Sequence, residues 1–272
     1  MPTPEMVVVT GGARGIGRSL VRAYLEAGAR VSALDAAESA LQDLAKENPS
    51  EKLITLVCDV SDAASVEAAA TRVVAFMGKP DLWINNAGIS VLGAFEDVTA
   101  ADFDRVWRVN FQGVVNGTRA ALTRMKEPER GVVCNVASIN GLVPAPFMSA
   151  YTASKHAVVG FTRALQLELS QKQSPLRVVL VCPGFVKTDI MKGHEGFEFP
   201  KWLDFAVGDV DRTAREIVEG LASGSDEIIP TWNGKAMKAA SRLAPAWLAR
   251  SSRMLTARNW KEFLGLKPVS RP

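Results

Sequence analysis

Histidine and tyrosine are scarce in this chain: its 272 residues hold two of each, His156 and His194, Tyr24 and Tyr151. Proton transfer that often falls to histidine must therefore go to other groups. Cysteine is scarce too. Cys58, Cys134 and Cys182 lie far apart in apolar, strand-like runs, and an odd number without CxxC spacing argues against a disulfide framework and a metal site. His194 has no second histidine or cysteine near it in sequence, so no metal is expected. Buried, reduced thiols point to a reducing, cytoplasmic compartment. No apolar run reaches the length of a membrane span, and the first residues lack the basic, apolar and small-residue succession of a signal peptide.

What the chain does have is a soluble globular balance, with 47% hydrophobic and 22% charged residues. Its length suits one α/β domain with a large core. Apolar runs of strand length alternate with helix-period segments. Met6 to Thr10 is the first strand, followed by a helix from Gly15 to Ala27. Arg30 to Leu34 is the second, ending in Asp35. Leu53–Val57, Asp81–Asn85, Gly131–Ala137, Leu176–Val181 and Glu227–Ile229 continue the series. Repeated βα units predict a doubly wound, seven-stranded parallel sheet with helices on both faces and right-handed crossovers.

TGGARGIG, Thr10 to Gly17, follows the first strand and opens the first helix. Glycine lets the backbone turn tightly and approach a ligand closely, and the helix N-terminus offers partial positive charge to a pyrophosphate. Asp35 ends the second strand about twenty residues later, where a carboxylate can bond ribose hydroxyls and would repel a ribose phosphate. That favours NAD over NADP. Arg14, inside the loop, could pair with such a phosphate and keeps NADP open.

YTASKHAVVGF, residues 151 to 161, places Lys155 one helical turn from Tyr151. A free phenol, with a pKa of about 10, is a poor base at neutral pH, and a nearby fixed cation favours its phenolate. The spacing therefore allows a proton-transfer device, although such a pair taken alone also fits an ordinary helix surface.

The motifs, in order, are TGGARGIG at 10–17, CDV at 58–60, NNAG at 85–88, VN at 109–110, Ser138, YTASK at 151–155 and PGFVKT at 183–188. In this the chain resembles the classical short-chain dehydrogenase/reductase family, from Met6 to about Ile229. The resemblance implies a Rossmann fold and supplies roles. Tyr151 corresponds to the acid/base. Lys155 lowers its pKa and holds the nicotinamide ribose, Ser138 bonds the substrate oxygen, and Asn110 holds a water in a proton relay. Gly11, Arg14, Gly15, Ile16, Gly17 and Asp35 fall in the cofactor-binding pattern. Asp59 and Val60 match positions that contact adenine, and Asn86, Ala87 and Gly88 match the segment lining the cofactor. Pro183, Gly184, Val186 and Thr188 match the turn that grips the nicotinamide. The implied reaction interconverts a secondary alcohol and a ketone. An NADPH-dependent ketoreductase is the nearest alternative, and a non-catalytic, membrane-associated cofactor-binding protein a more distant one.

Residues 141–150 and a segment at 189–207, where the family carries a substrate lid, are rich in apolar side chains, which suggests a hydrophobic substrate. The same side chains could instead close on the protein's own core. From Thr231 onward nine Lys or Arg stand against one Glu, a charge of +8, while the preceding 230 residues carry −5. A catalytic domain over 1–230 and a basic helical extension over 231–272 are therefore expected. Pro245 is placed to start an amphipathic helix with Trp247, Leu248, Met254 and Leu255 on one face. Such a helix can lie on an anionic membrane surface or pack across the acidic body or a partner subunit. No nucleic-acid reading motif accompanies the charge. The resemblance also implies a homodimer or homotetramer built on the helix bearing Tyr151.

Overall fold

The computed structural model describes residues 3–125, 131–186 and 208–243. Seven strands form one parallel sheet: β1 (Met6–Thr10), β2 (Arg30–Asp35), β3 (Leu53–Val57), β4 (Leu82–Asn85), β5 (Gly131–Val136), β6 (Leu176–Val181) and β7 (Glu227–Ile228). Their spatial order is β3-β2-β1-β4-β5-β6-β7. The first three strands step outward from β1, and the chain then returns to lay β4 on the other side of β1. Val8 accordingly pairs with both Ser32 and Trp83. In open sheets of this kind the ligand crevice lies at the strands' C-terminal ends, where the direction reverses.

Both faces of the sheet are covered, which is why its strands read as continuous apolar runs rather than alternating ones. Along β1, Val7 and Val9 face one core and Met6 and Val8 the other. The first core holds Leu20 and Val21 of α1 (Gly15–Glu26), Leu41 and Leu44 of α2 (Glu38–Glu47), and Ile217 and Leu221 of α7 (Val210–Ala222). The second holds Val66 and Val73 of α3 (Ala63–Met77) and Ala120 and Ala121 of α5 (Gly113–Arg124). A third patch, with Val158 and Val159, packs α6 (Ser149–Gln171) near β6. The three cysteines are buried in these cores, as expected.

Helix starts follow from capping. Asp62 accepts from the Ala64 amide ahead of α3, Thr99 from Asp102 ahead of α4 (Ala100–Trp107), and Asp209 from Arg212 ahead of α7. Between α4 and α5 the backbone widens into a π-turn over Arg108–Gln112, which the sequence periodicity did not reveal. After β7 the chain enters α8 (Trp232–Leu243), which packs against the turn at Ile139–Gly141. The expected lid at 189–207, Thr188, and the amphipathic helix beginning at Pro245 lie outside the described residues. Among the described residues no helix is long and apolar enough to cross a membrane.

Candidate active site

The loops leaving β1 and β4 are stitched together at the switch point. Thr10 Oγ1 accepts hydrogen bonds from the amides of Asn86 and Ala87, at 3.0 and 3.2 Å. Asn86 Nδ2 donates to the carbonyls of Thr10 and Gly11, at 3.1 Å each. Asn86 therefore holds the glycine loop with its side chain. Gly11 has φ +61°, and a Cβ there would stand 2.7 Å from Ala87 Cα. A Cβ on Gly17 would stand 2.0 Å from the Gly11 carbonyl oxygen, so only glycine lets α1 approach the loop this closely. Gly15 also has positive φ, and Ile16 packs against the first core. Ahead of α1, Arg14 gives no side-chain cap, and the first turn carries no acid. Those helix amides are open to an anion.

Asp35 closes the crevice at the end of β2. Its two carboxylate oxygens accept one amide each, from Ala13 at 3.1 Å and Ala37 at 3.0 Å. Arg14 is exposed. Asp59 is exposed as well and accepts from the amide and hydroxyl of Ser61. Val60 is buried, and its carbonyl accepts from Asn116 on α5 at 2.9 Å.

On the other side of β4 the four predicted reactive side chains converge from three elements. Ser138 follows β5, Tyr151 and Lys155 lie on α6, and Asn110 sits in the π-turn. All four are buried. Asn110 grips the chain beyond Gly88, accepting from the Ile89 amide at 2.8 Å and donating to its carbonyl at 2.9 Å. It also donates to Ser154 Oγ at 3.0 Å, and that hydroxyl donates to the Tyr151 carbonyl at 2.8 Å. A Cβ on Gly88 would lie 3.4 Å from both Asn110 Oδ1 and Lys155 Nζ, so these two groups flank the glycine. Lys155 Nζ donates to the Val136 carbonyl at 2.9 Å and lies 5.7 Å from the centre of the Tyr151 ring. Ser138 Oγ accepts from the Asn140 amide at 3.2 Å and lies close enough to the Tyr151 hydroxyl to influence its ionisation.

Burial moves both titrating groups toward neutrality. Desolvation lowers the Lys155 ammonium to about 8. Desolvation also raises the Tyr151 phenol, and the nearby Ser138 side chain opposes that rise. Tyr24, by contrast, belongs to the first core, and exposed His156 points Nδ1 at the Thr152 carbonyl of its own helix.

The turn after β6 completes the site. The Pro183 carbonyl accepts from the Ile139 amide at 2.7 Å, joining this turn to the one after Ser138. A Cβ on Gly184 would stand 1.8 Å from Asn233 Oδ1. Val186 forms a lone parallel bridge with Gly208. A profile of the short chain dehydrogenase family matches residues 5–197.

The chain belongs to the short-chain dehydrogenases. Its relatives bear this membership out. A Mycobacterium tuberculosis protein named "Probable oxidoreductase EphD" is 39% identical over 214 residues, 76% of this chain but only 36% of EphD, so this chain spans about a third of that relative's length. Human 15-hydroxyprostaglandin dehydrogenase [NAD(+)] is 32% identical over 198 residues, 70% of this chain and 71% of the human one. The crystal structure of a Burkholderia phymatum short-chain dehydrogenase/reductase in complex with NAD superposes with a TM-score of 0.76 at 26% identity, over 98% of this chain and 97% of that one.

Within this short-chain dehydrogenase some site residues escaped the sequence reading. Ser154, which joins Asn110 to Tyr151, was signalled only by its place inside YTASK. Thr10, the hydroxyl that binds the two loops, was visible only as the first letter of the glycine motif. Thr231 and Asn233 had no signal at all.

Proposed function

We propose that this short-chain dehydrogenase is NAD-preferring and interconverts a secondary alcohol and its ketone, with Tyr151 as acid/base. The observation that carries the reading is the buried group of Ser138, Tyr151, Lys155 and Asn110 around Gly88, at the sheet's switch point. The residues fit a dinucleotide. The uncapped N-terminus of α1 suits a pyrophosphate, Asp35 suits ribose hydroxyls, and glycines at 11, 17 and 88 leave the crevice free of side chains. When bound, the dinucleotide supplies the hydride acceptor or donor.

In alcohol oxidation Tyr151 takes the substrate hydroxyl proton as phenolate, a form that burial disfavours in the protein alone and that the positive charge of an oxidised nicotinamide beside it would favour. Ser138 steadies the same oxygen with its hydroxyl, whose own oxygen is already fixed by the Asn140 amide. Lys155, at about 8, is mostly protonated at neutral pH yet able to yield a proton, which suits a relay step. Asn110 and Ser154 hold the helix that carries both groups. Reduction runs the same path backward. Asp35 and the NAD named for two of the relatives support NAD. The hydroxyprostaglandin named for the human relative, a largely hydrocarbon alcohol, supports a hydrophobic substrate. Exposed Arg14 favours NADPH-dependent reduction as the second reading.

Titration with NADH and NADPH in one buffer tests the cofactor. We expect tighter binding of NADH, and tighter binding of NADPH would move the assignment to the ketoreductase. Tyr151→Phe should lower turnover by about 10²–10⁴-fold while keeping cofactor affinity, and a variant with full turnover would remove Tyr151 from the chemistry.

A further inference from the structure

The turn Pro183–Val186 does not hold its shape alone. Thr231, 4% exposed, stands just ahead of α8 and caps it, accepting from the Gly234 amide at 3.2 Å. An N-cap hydroxyl ordinarily serves its own helix. Here the same oxygen also accepts from the Gly184 amide at 2.9 Å and donates to Asn233 Oδ1 at 2.7 Å. Asn233, 6% exposed, donates its amide to the Phe185 carbonyl at 3.0 Å. That carbonyl also accepts from Gly208 at 2.7 Å. Two glycines make the interlock possible. A Cβ on Gly234 would lie 2.8 Å from Thr231 Oγ1 and 3.1 Å from the Gly184 amide, and Gly184 has no room for one either.

We propose that Thr231 and Asn233 are positioning residues that set the Pro183–Val186 turn for the nicotinamide half of the cofactor. The inference rests on the proposed function and on the family resemblance, which assigns that turn to the nicotinamide. Each residue acts through backbone groups of the turn, so its loss should loosen one half of the dinucleotide site. The adenine half is built from β1, β2 and β3, on the far side of the switch point, and should not respond.

The experiment compares NADH and ADP-ribose binding to wild type, Thr231→Val and Thr231→Ser, with circular dichroism to establish folding. Thr231→Val should bind NADH about tenfold more weakly, with ADP-ribose affinity within about twofold of wild type, and Thr231→Ser should restore NADH binding. A folded Thr231→Val that weakens both ligands alike, or neither, overturns the proposal. If wild type binds NADH no more tightly than ADP-ribose, the nicotinamide role of the turn fails first and takes the proposal with it. Should Thr231→Val not fold, Asn233→Ala is judged by the same two affinities.

Discussion

At the scale of single residues, burial decides the protonation of Lys155. Its folded value, about 8, lies below the ordinary 10.5, so between these the unfolded chain binds the extra proton and stability rises with pH. Below pH 8 the full cost of burying the ammonium is present. Lys155→Met should therefore stabilise the fold at pH 7 by about 1–3 kcal/mol, after allowing for the lost bond to the Val136 carbonyl. By pH 10 the burial cost itself should have shrunk to about a quarter, so the lost hydrogen bond should cancel most or all of the advantage. Urea denaturation at the two pH values checks this, and an equal advantage at both would show that the ammonium is not destabilised. The pairing of Tyr151 with Lys155 was legible because their spacing and motif are local. The direction of the phenol shift was not, because it depends on how much protein surrounds the ring.

At the scale of elements, two helical glycines should respond in opposite ways to alanine. In α5, a Cβ on Gly117 would stand 2.0 Å from Asn85 Oδ1. Asn85 is the hub of a buried network: its oxygen accepts from Trp83 Nε1, and its amide donates to Thr118 and Asn135. Asn135 in turn donates to Thr162 on α6. Gly117→Ala should destabilise by about 2–4 kcal/mol despite alanine's better helix propensity. Gly160 in α6 has nothing within 4 Å of a built Cβ, and Gly160→Ala should stabilise by about 0.5–1 kcal/mol. Denaturation midpoints of the two variants check the contrast. Strand positions were readable almost to the residue, since a sheet covered on both faces needs unbroken apolar runs. The π-turn and the Asn85 network were not. One is a local widening that barely disturbs helical spacing, and the other joins side chains up to 50 positions apart.

At the scale of the whole molecule, the buried thiols and phenols set the alkaline limit. Burial raises Cys58, Cys134, Cys182 and both tyrosines, Cys182 to about 12. Their neutral forms are held by the fold, while the unfolded chain ionises from the ordinary values of 9.0 and 10.0. Stability must then fall as pH rises past 9, opposed by Lys155 only up to 10.5. Melting temperature should drop steadily from pH 9 to 10.5, and a flat profile would contradict the burial of these groups. Self-association through α6, which the family resemblance implies, would extend to exposed Trp107 at the end of neighbouring α4. Its ring lies 4.9 Å from Phe111, which in turn meets Phe161 at 6.1 Å. Trp107→Glu should shift sedimentation toward the monomer; an unchanged distribution would place the interface elsewhere.

The interlock of Gly184 with Thr231 also orders events during synthesis. A ribosome releases the adenine-side strands first, and they can associate while the rest of the chain is still being made. The turn at 183–186 emerges long before its clamp, by about 47 residues, on the order of several seconds of elongation. A nascent chain in that interval should already recognise an adenine nucleotide without yet gripping a nicotinamide. Redox competence would then arrive last, with the capping threonine of the final described helix.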